Sequence, residues 1–87
     1  MARVNADPES LRALRDALRR GQEDISRAVE GMRGSFKSAQ WNDDRRTQFE
    51  RELEGFLSSV TAFSKEADEL KEYLSRKADD LDRYLGR

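Results

Sequence analysis

The chain has 87 residues, 40% charged and 36% hydrophobic, with 17 Lys+Arg against 18 Asp+Glu and neither Cys nor His. This length suits one small domain, and the missing residue types exclude a thiol nucleophile, a disulfide framework, a thiolate zinc site and any His-based triad. A net charge of −1 lacks the basic excess of a nucleic-acid binder, and no stretch is apolar enough for a membrane span or the core of a cleaved signal peptide.

The first predicted element begins at Asp7-Pro8-Glu9. Asp7 suits an N-cap, Pro8 suits the first helical position because its missing N–H has no intrahelical partner anyway, and Glu9 complements the helix dipole. Leu11, Leu14, Leu18, Ile25, Ala28, Met32 and Ala39 then recur in steps of three and four, with Gly21 and Ser35 in the weak positions and Val29 and Phe36 widening one flank. This spacing predicts an amphipathic helix over 8–39. Gly31 and Gly34 loosen its end, each costing about 1 kcal/mol relative to Ala inside a helix.

A turn is predicted over 40–43, because Trp41 is followed by Asn42, Asp43 and Asp44, all good helix-capping residues. A second helix is predicted over 44–85. Phe49, Leu53, Phe56, Val60, Phe63, Ala67, Leu70, Leu74, Lys77, Leu81 and Tyr84 alternate in steps of four and three, and only Lys77 interrupts the apolar seam. Glu72/Arg76 and Asp79/Arg83 have acid four residues before base, the favourable order on a helix surface. Nothing reads as a strand.

A short connection between long helices favours antiparallel neighbours. The expected fold is therefore all-α: a single helical-hairpin domain over 1–87. With reversal near Trp41, Phe36 faces Phe49, Met32 faces Leu53, Leu14 faces Leu70, and Gly21 falls opposite the ring of Phe63. The same register sets Arg12, Arg15, Arg19 and Arg20 beside Glu66, Asp68, Glu69 and Glu72. Val29, Phe36, Leu57 and Tyr73 make the apolar surface wider than one helix–helix seam, and so thin a core rarely stands alone. A second hairpin is expected to complete a four-helix bundle, with Leu14, Leu18, Ile25, Val29, Met32, Phe36, Leu57, Val60 and Tyr73 packing across chains. At 1.5 Å per residue the arms span ~48 Å and ~63 Å. Leu81, Tyr84 and Leu85 then overhang as a partner-docking surface.

These residues resemble a family. Two amphipathic helices with Trp41 at their turn and Phe49 eight residues later are similar to the Trp-x-Gly (WXG, ESAT-like) proteins, with Asp43 in place of the motif glycine. The resemblance covers most of residues 8–85. It implies a small bacterial substrate, or substrate partner, of a type VII (ESX-like) secretion system. Such a protein acts as a helical-hairpin homodimer or heterodimer, leaves the bacterial cytoplasm without a cleaved signal peptide, and meets a secretion ATPase or a larger effector. The family's Tyr-x-x-x-Asp/Glu signal is incomplete here: Lys77 stands four residues after Tyr73, and three residues follow Tyr84. A partner would supply it.

No enzymatic, cofactor or metal site is expected. Asp43-Asp44 is explained by helix capping. Asp79-Asp80-Leu81-Asp82 lacks calcium-loop spacing and reads as a solvated acidic face. Nothing polar converges on Phe49, Phe56 and Phe63, which read as core. The alternative function is an intracellular coiled-coil adaptor that is not exported.

Overall fold

The structure, a computed structural model, describes residues 6–86. The reading of residues 1–5 against a signal peptide lies outside them. Two helices fill the described chain, α1 (Pro8–Ser38) and α2 (Arg45–Tyr84). They run antiparallel as a hairpin 65 Å long, 21 Å wide and 14 Å deep. No strand occurs among the described residues.

Local chemistry sets the ends of α1. Asp7 has extended backbone, and its carboxylate accepts from the Ser10 backbone N–H (3.2 Å) and from the Ser10 hydroxyl (2.8 Å). Pro8 occupies the first turn, Glu9 faces the positive end of the dipole, and Lys37 faces the negative end. Gly31 and Gly34 neither stop nor shorten α1, which continues to Ser38. The last turn of α2 carries Arg83 and closes on Gly86, whose φ of +76° is cheap only for glycine.

Each helix carries its apolar residues in three parallel rows, each with a spacing of seven. In α1 the central row is Leu11, Leu18, Ile25 and Met32. A small-residue row of Leu14, Gly21, Ala28 and Ser35 lies on one side of it, and a flank row of Arg15, Gln22, Val29 and Phe36 on the other. In α2 the central row is Leu53, Val60, Ala67, Leu74 and Leu81. Here the side rows are an aromatic row of Phe49, Phe56, Phe63, Leu70, Lys77 and Tyr84, and a flank row of Leu57, Ser64, Lys71 and Ala78.

Only two rows of each helix meet. The central and flank rows are buried or half-buried throughout, except for Met32, and Val29, Leu57, Ala78 and Leu81 form the fully covered core. Every member of the aromatic row is exposed. The sequence periodicity places Phe56 and Phe63 in the core, yet they stand 57% and 70% exposed, while Leu57 beside them is 0% exposed. A seam can hold about two rows at coiled-coil spacing. The flank-row seam has a further advantage. It turns Arg12, Arg15, Gln22 and Arg33 toward α2, where each finds a partner; a seam built on the aromatic row would turn them away.

This rotation corrects the expected register at the open end. Phe36 and Phe49 do meet, with ring centroids 5.7 Å apart. Arg12, however, reaches Asp79 and Asp82 rather than Glu72, roughly two helical turns further along α2. Arg15 donates to Ser75, and Arg15 and Arg19 both lie beside Asp16 of their own helix. Asp68 accepts from Gln22 instead of from an arginine. Gly21 is not filled by Phe63: a Cβ there would meet nothing within 4 Å. Asp79 pairs with Arg12, and Arg83 takes Asp80, whereas Glu72 and Arg76 pair as their spacing predicts.

Candidate interaction surface

The hairpin has two unlike broad faces. One is polar and carries the side-chain bonds found between α1 and α2 among the described residues. Arg33 and Glu54 form a two-pronged pair, Nε to Oε1 at 3.0 Å and Nη2 to Oε2 at 3.1 Å. Gln22 Nε2 donates to the Ser64 carbonyl (2.5 Å) and to Asp68 Oδ1 (2.8 Å). Arg15 Nη1 donates to Ser75 Oγ at 3.2 Å. Arg12 Nη2 donates to Asp82 (2.5 Å) and Asp79 (2.9 Å), while its Nη1 takes Glu9.

These bonds shift the ionisation of their members. The hydrogen bonds that Arg12 donates to Asp82, then to Asp79 and Glu9, raise it above the ordinary arginine range. The Glu54 carboxylate raises Arg33, and in return the Arg33 guanidinium holds Glu54 below the usual carboxylate range. Gln22, followed by Lys71, lowers Asp68 in the same way. Each shift favours the charged form through hydrogen bonding. No group of His, Cys, Asp and Glu among the described residues is arranged to hold a metal ion, and the acidic stretch Asp79–Asp82 is occupied by Arg12 and Arg83.

The opposite face is apolar. Among the described residues no hydrogen bond or ion pair joins α1 to α2 across it. The small-residue row of α1 and the aromatic row of α2 run along it side by side. Near the turn they share an open groove of about 590 Å³ lined by Ala28, Met32, Ser35, Phe36, Phe49 and Leu53. Toward the open end, Tyr73, Arg76, Lys77, Asp80, Leu81 and Tyr84 line a second open groove of about 570 Å³, more polar than the first. The row of exposed apolar side chains from Phe49 to Leu70 is the kind of patch that marks an association surface on a small protein.

The turn is a built element. The Trp41 indole N–H donates to Asp43 Oδ1 at 2.7 Å, and the same oxygen accepts the Arg45 backbone N–H at 2.9 Å. The side chain that starts α2 is thus Asp43; Asp44, which holds the N-cap position, makes no capping bond. The Trp41 ring lies 5.1 Å from Phe49 and 6.4 Å, edge-on, from Phe36. Arg46 closes the cluster. Its guanidinium sits 4.5 Å over the Phe36 ring and donates to the Trp41 carbonyl at 3.2 Å, a cation–π contact backed by a hydrogen bond. Trp41, Asp43 and Phe49, the residues of the expected turn motif, lie side by side in this cluster; Arg46 was not foreseen, because nothing in a helical pattern says that a surface arginine folds back onto a ring.

The residues expected to pack across chains divide in two. Val29 and Leu57 are buried within the hairpin, and Leu18, Ile25, Phe36 and Val60 are half-buried there. They belong to the intrachain seam, because the flank and central rows are the rows that meet. Leu14, Met32 and Tyr73 are exposed. Phe56, Phe63 and Leu70 join them instead, and the signal for them was the third apolar row itself. Of the expected overhang, Leu81 is only 8% exposed, because the shifted register brings the start of α1 alongside it; Tyr84 and Leu85 remain open. No helix among the described residues is long and apolar enough to cross a membrane. No family model, curated protein or solved structure matches the chain.

Proposed function

We propose that this protein works by association: the apolar face of the hairpin packs against a second helical hairpin to give a four-helix bundle with no catalytic role. The observation that carries this reading is the aromatic row of α2, whose Phe49, Phe56, Phe63 and Leu70 stand in solvent at a constant spacing of seven, with Tyr84 exposed two periods further on, past Lys77. Repeated large apolar groups at that spacing match the knobs of one more helix layer. Burying them would remove from water the largest apolar strip that the hairpin leaves open.

On the resemblance drawn from Trp41 and Phe49, we further propose a role similar to that of WXG-type secretion substrates or substrate partners. The turn cluster supports this, since Trp41 contacts both Phe36 and Phe49 and organises the reversal. Asp43 in the glycine position supplies the hydrogen bonds that start α2. In this role Tyr73, Tyr84 and Leu85 on the open end present the surface read by a secretion ATPase or effector.

The decisive experiment is the solution mass of the full chain, alone and co-expressed with any hairpin protein encoded beside it. Association predicts a stable two-hairpin particle in at least one sample. A cooperatively folded single hairpin in both would end this reading. The export role is checked separately by a secretion assay on Tyr73→Ala/Tyr84→Ala/Leu85→Ala, which is expected to stay in the cell. Unchanged export would remove the open end from the mechanism.

A further inference from the structure

The seam that joins α1 to α2 has its core in two pieces. At the open end Pro8 and Ala78 are fully covered and Leu81 is nearly so. Toward the turn Val29 and Leu57 are covered, and the Phe36, Trp41 and Phe49 rings cluster beyond them. Between the pieces, no residue of 9–28 or 58–77 is buried.

The middle of the seam is small and polar. Gln22 Nε2 donates to the Ser64 carbonyl and to Asp68, which sets Gly21 and Gln22 level with Ser64, Ala67 and Asp68. The next flank-row residue, Lys71, pairs with Asp68 of its own helix. One repeat nearer the turn, the same flank rows hold Val29 and Leu57. Glycine makes a helix easy to unwind, and a Cβ at Gly21 would meet nothing within 4 Å, so no packing demands a glycine there.

We propose that this waist divides the hairpin into two units: residues 8–20 with 70–84 part and reclose as an open unit, while residues 25–38 with 45–63 stay packed as a turn unit. A local opening costs what it uncovers. Parting the open unit uncovers Pro8, Ala78 and Leu81 and breaks the bonds from Arg12 and Arg15. It leaves Val29, Leu57, the Arg33–Glu54 pair and the ring cluster in place. The reverse order is closed, because an open unit held shut across an unfolded turn would have to close a long loop. Arg12 is the latch, reaching Asp79 and Asp82 across the seam and Glu9 beside it. Parting frees Leu74 and Leu81 at the end that carries Tyr84 and Leu85, while the turn unit keeps both helices in one hairpin. The proposal concerns the seam rather than the apolar face, so it stands or falls apart from the association reading.

Amide hydrogen exchange of the full chain over low urea concentrations, at a dilution where the hairpin is single, reads each opening separately. Helices freed from packing are marginal in water, so amides of the parted unit exchange. Those of 12–20 and 70–82 should exchange at least about tenfold faster than those of 27–36 and 50–60, with the change falling at the waist. Val29→Ala should speed the turn set by about tenfold and leave the open set within about twofold, because the open unit parts without uncovering Val29. Leu81→Ala and, by a smaller factor, Arg12→Ala should speed both sets, because the turn unit unfolds only from hairpins already parted. One common rate, a boundary elsewhere, or an equal response of both sets to Val29→Ala overturns the proposal. An unchanged open set in Arg12→Ala overturns the latch.

Discussion

The two broad faces of the hairpin are made from the same two helices, yet they do different work. On the polar face, Arg12, Arg15, Gln22 and Arg33 cross to α2 and hold the helices in register. On the apolar face no such bond crosses among the described residues, and Phe56 and Phe63 stand 57% and 70% exposed. Long arginine and glutamine side chains can reach between helices while their heads stay wet. Phenylalanine has no polar end to keep in water, so its exposure is costly until something covers it. The lesson is that a two-helix protein can close one side with polar bridges and leave its most hydrophobic side for a partner.

Substitutions that separate the two sides test this contrast. The largest effect is expected between them, in the seam. Leu57→Ala removes a fully covered side chain and should lower unfolding stability by about 3 kcal/mol in urea, measured at fixed protein concentration because association would add to stability. A similar loss from Phe63→Ala at the dilution where the hairpin is single would show that the ring already belongs to the core and erase the contrast.

Next comes the apolar face. Phe56→Ser/Phe63→Ser should weaken hairpin–hairpin association by roughly a hundredfold, on the order of 2.7 kcal/mol, in sedimentation equilibrium. The helicity of the dilute single hairpin should hardly change, since surface substitutions of this kind usually stay within about 0.5 kcal/mol. Equal association by this variant would move the interface to the polar side.

The turn should show a smaller change. Asp43→Ala removes the acceptor shared by the Trp41 indole and the Arg45 amide, which should cost about 1 kcal/mol. Trp41 is the only tryptophan, so its emission reports the loosening of the ring cluster directly. An unchanged spectrum would mean that Phe36 and Phe49 hold the indole without help.

The smallest effect belongs to the polar face. Glu54 and Asp68 have folded pKa values below their ordinary ones. Their contribution is therefore fully present above the unfolded carboxylate range of roughly pH 4, and is lost as pH falls through the folded values. Acid titration of stability should show a shallow decline there, flattened in Glu54→Gln/Asp68→Asn and weakened by salt. A steep decline that survives both substitutions would show that these two carboxylates do not set the acid sensitivity.

Much of this molecule was legible before any coordinates. Asp7-Pro8-Glu9 announces the start of α1 through local capping chemistry, and Trp41 to Asp44 announces the reversal, because caps and turns act within three or four residues of chain. The three-and-four spacing of apolar groups dictates two amphipathic helices, and their number exceeds what one pair of helices can hide. The periodicity pointed to the aromatic row as core and was wrong there, because it does not fix which two of three adjacent rows meet. Leu53, Leu57 and Phe56 all lie within one third of a helix circumference, so a rotation of one row exchanges Phe56 for Leu57 without altering any local preference. That choice, and the two-turn displacement that carries Arg12 to Asp79 and Asp82, depends on contacts between residues some 70 positions apart. Two helices, their caps and an oversized apolar stripe follow from local pattern; which part of that stripe lies inside and which faces outward follows from the fold, because helix rotation is settled by packing and cross-helix bonds that no local pattern contains.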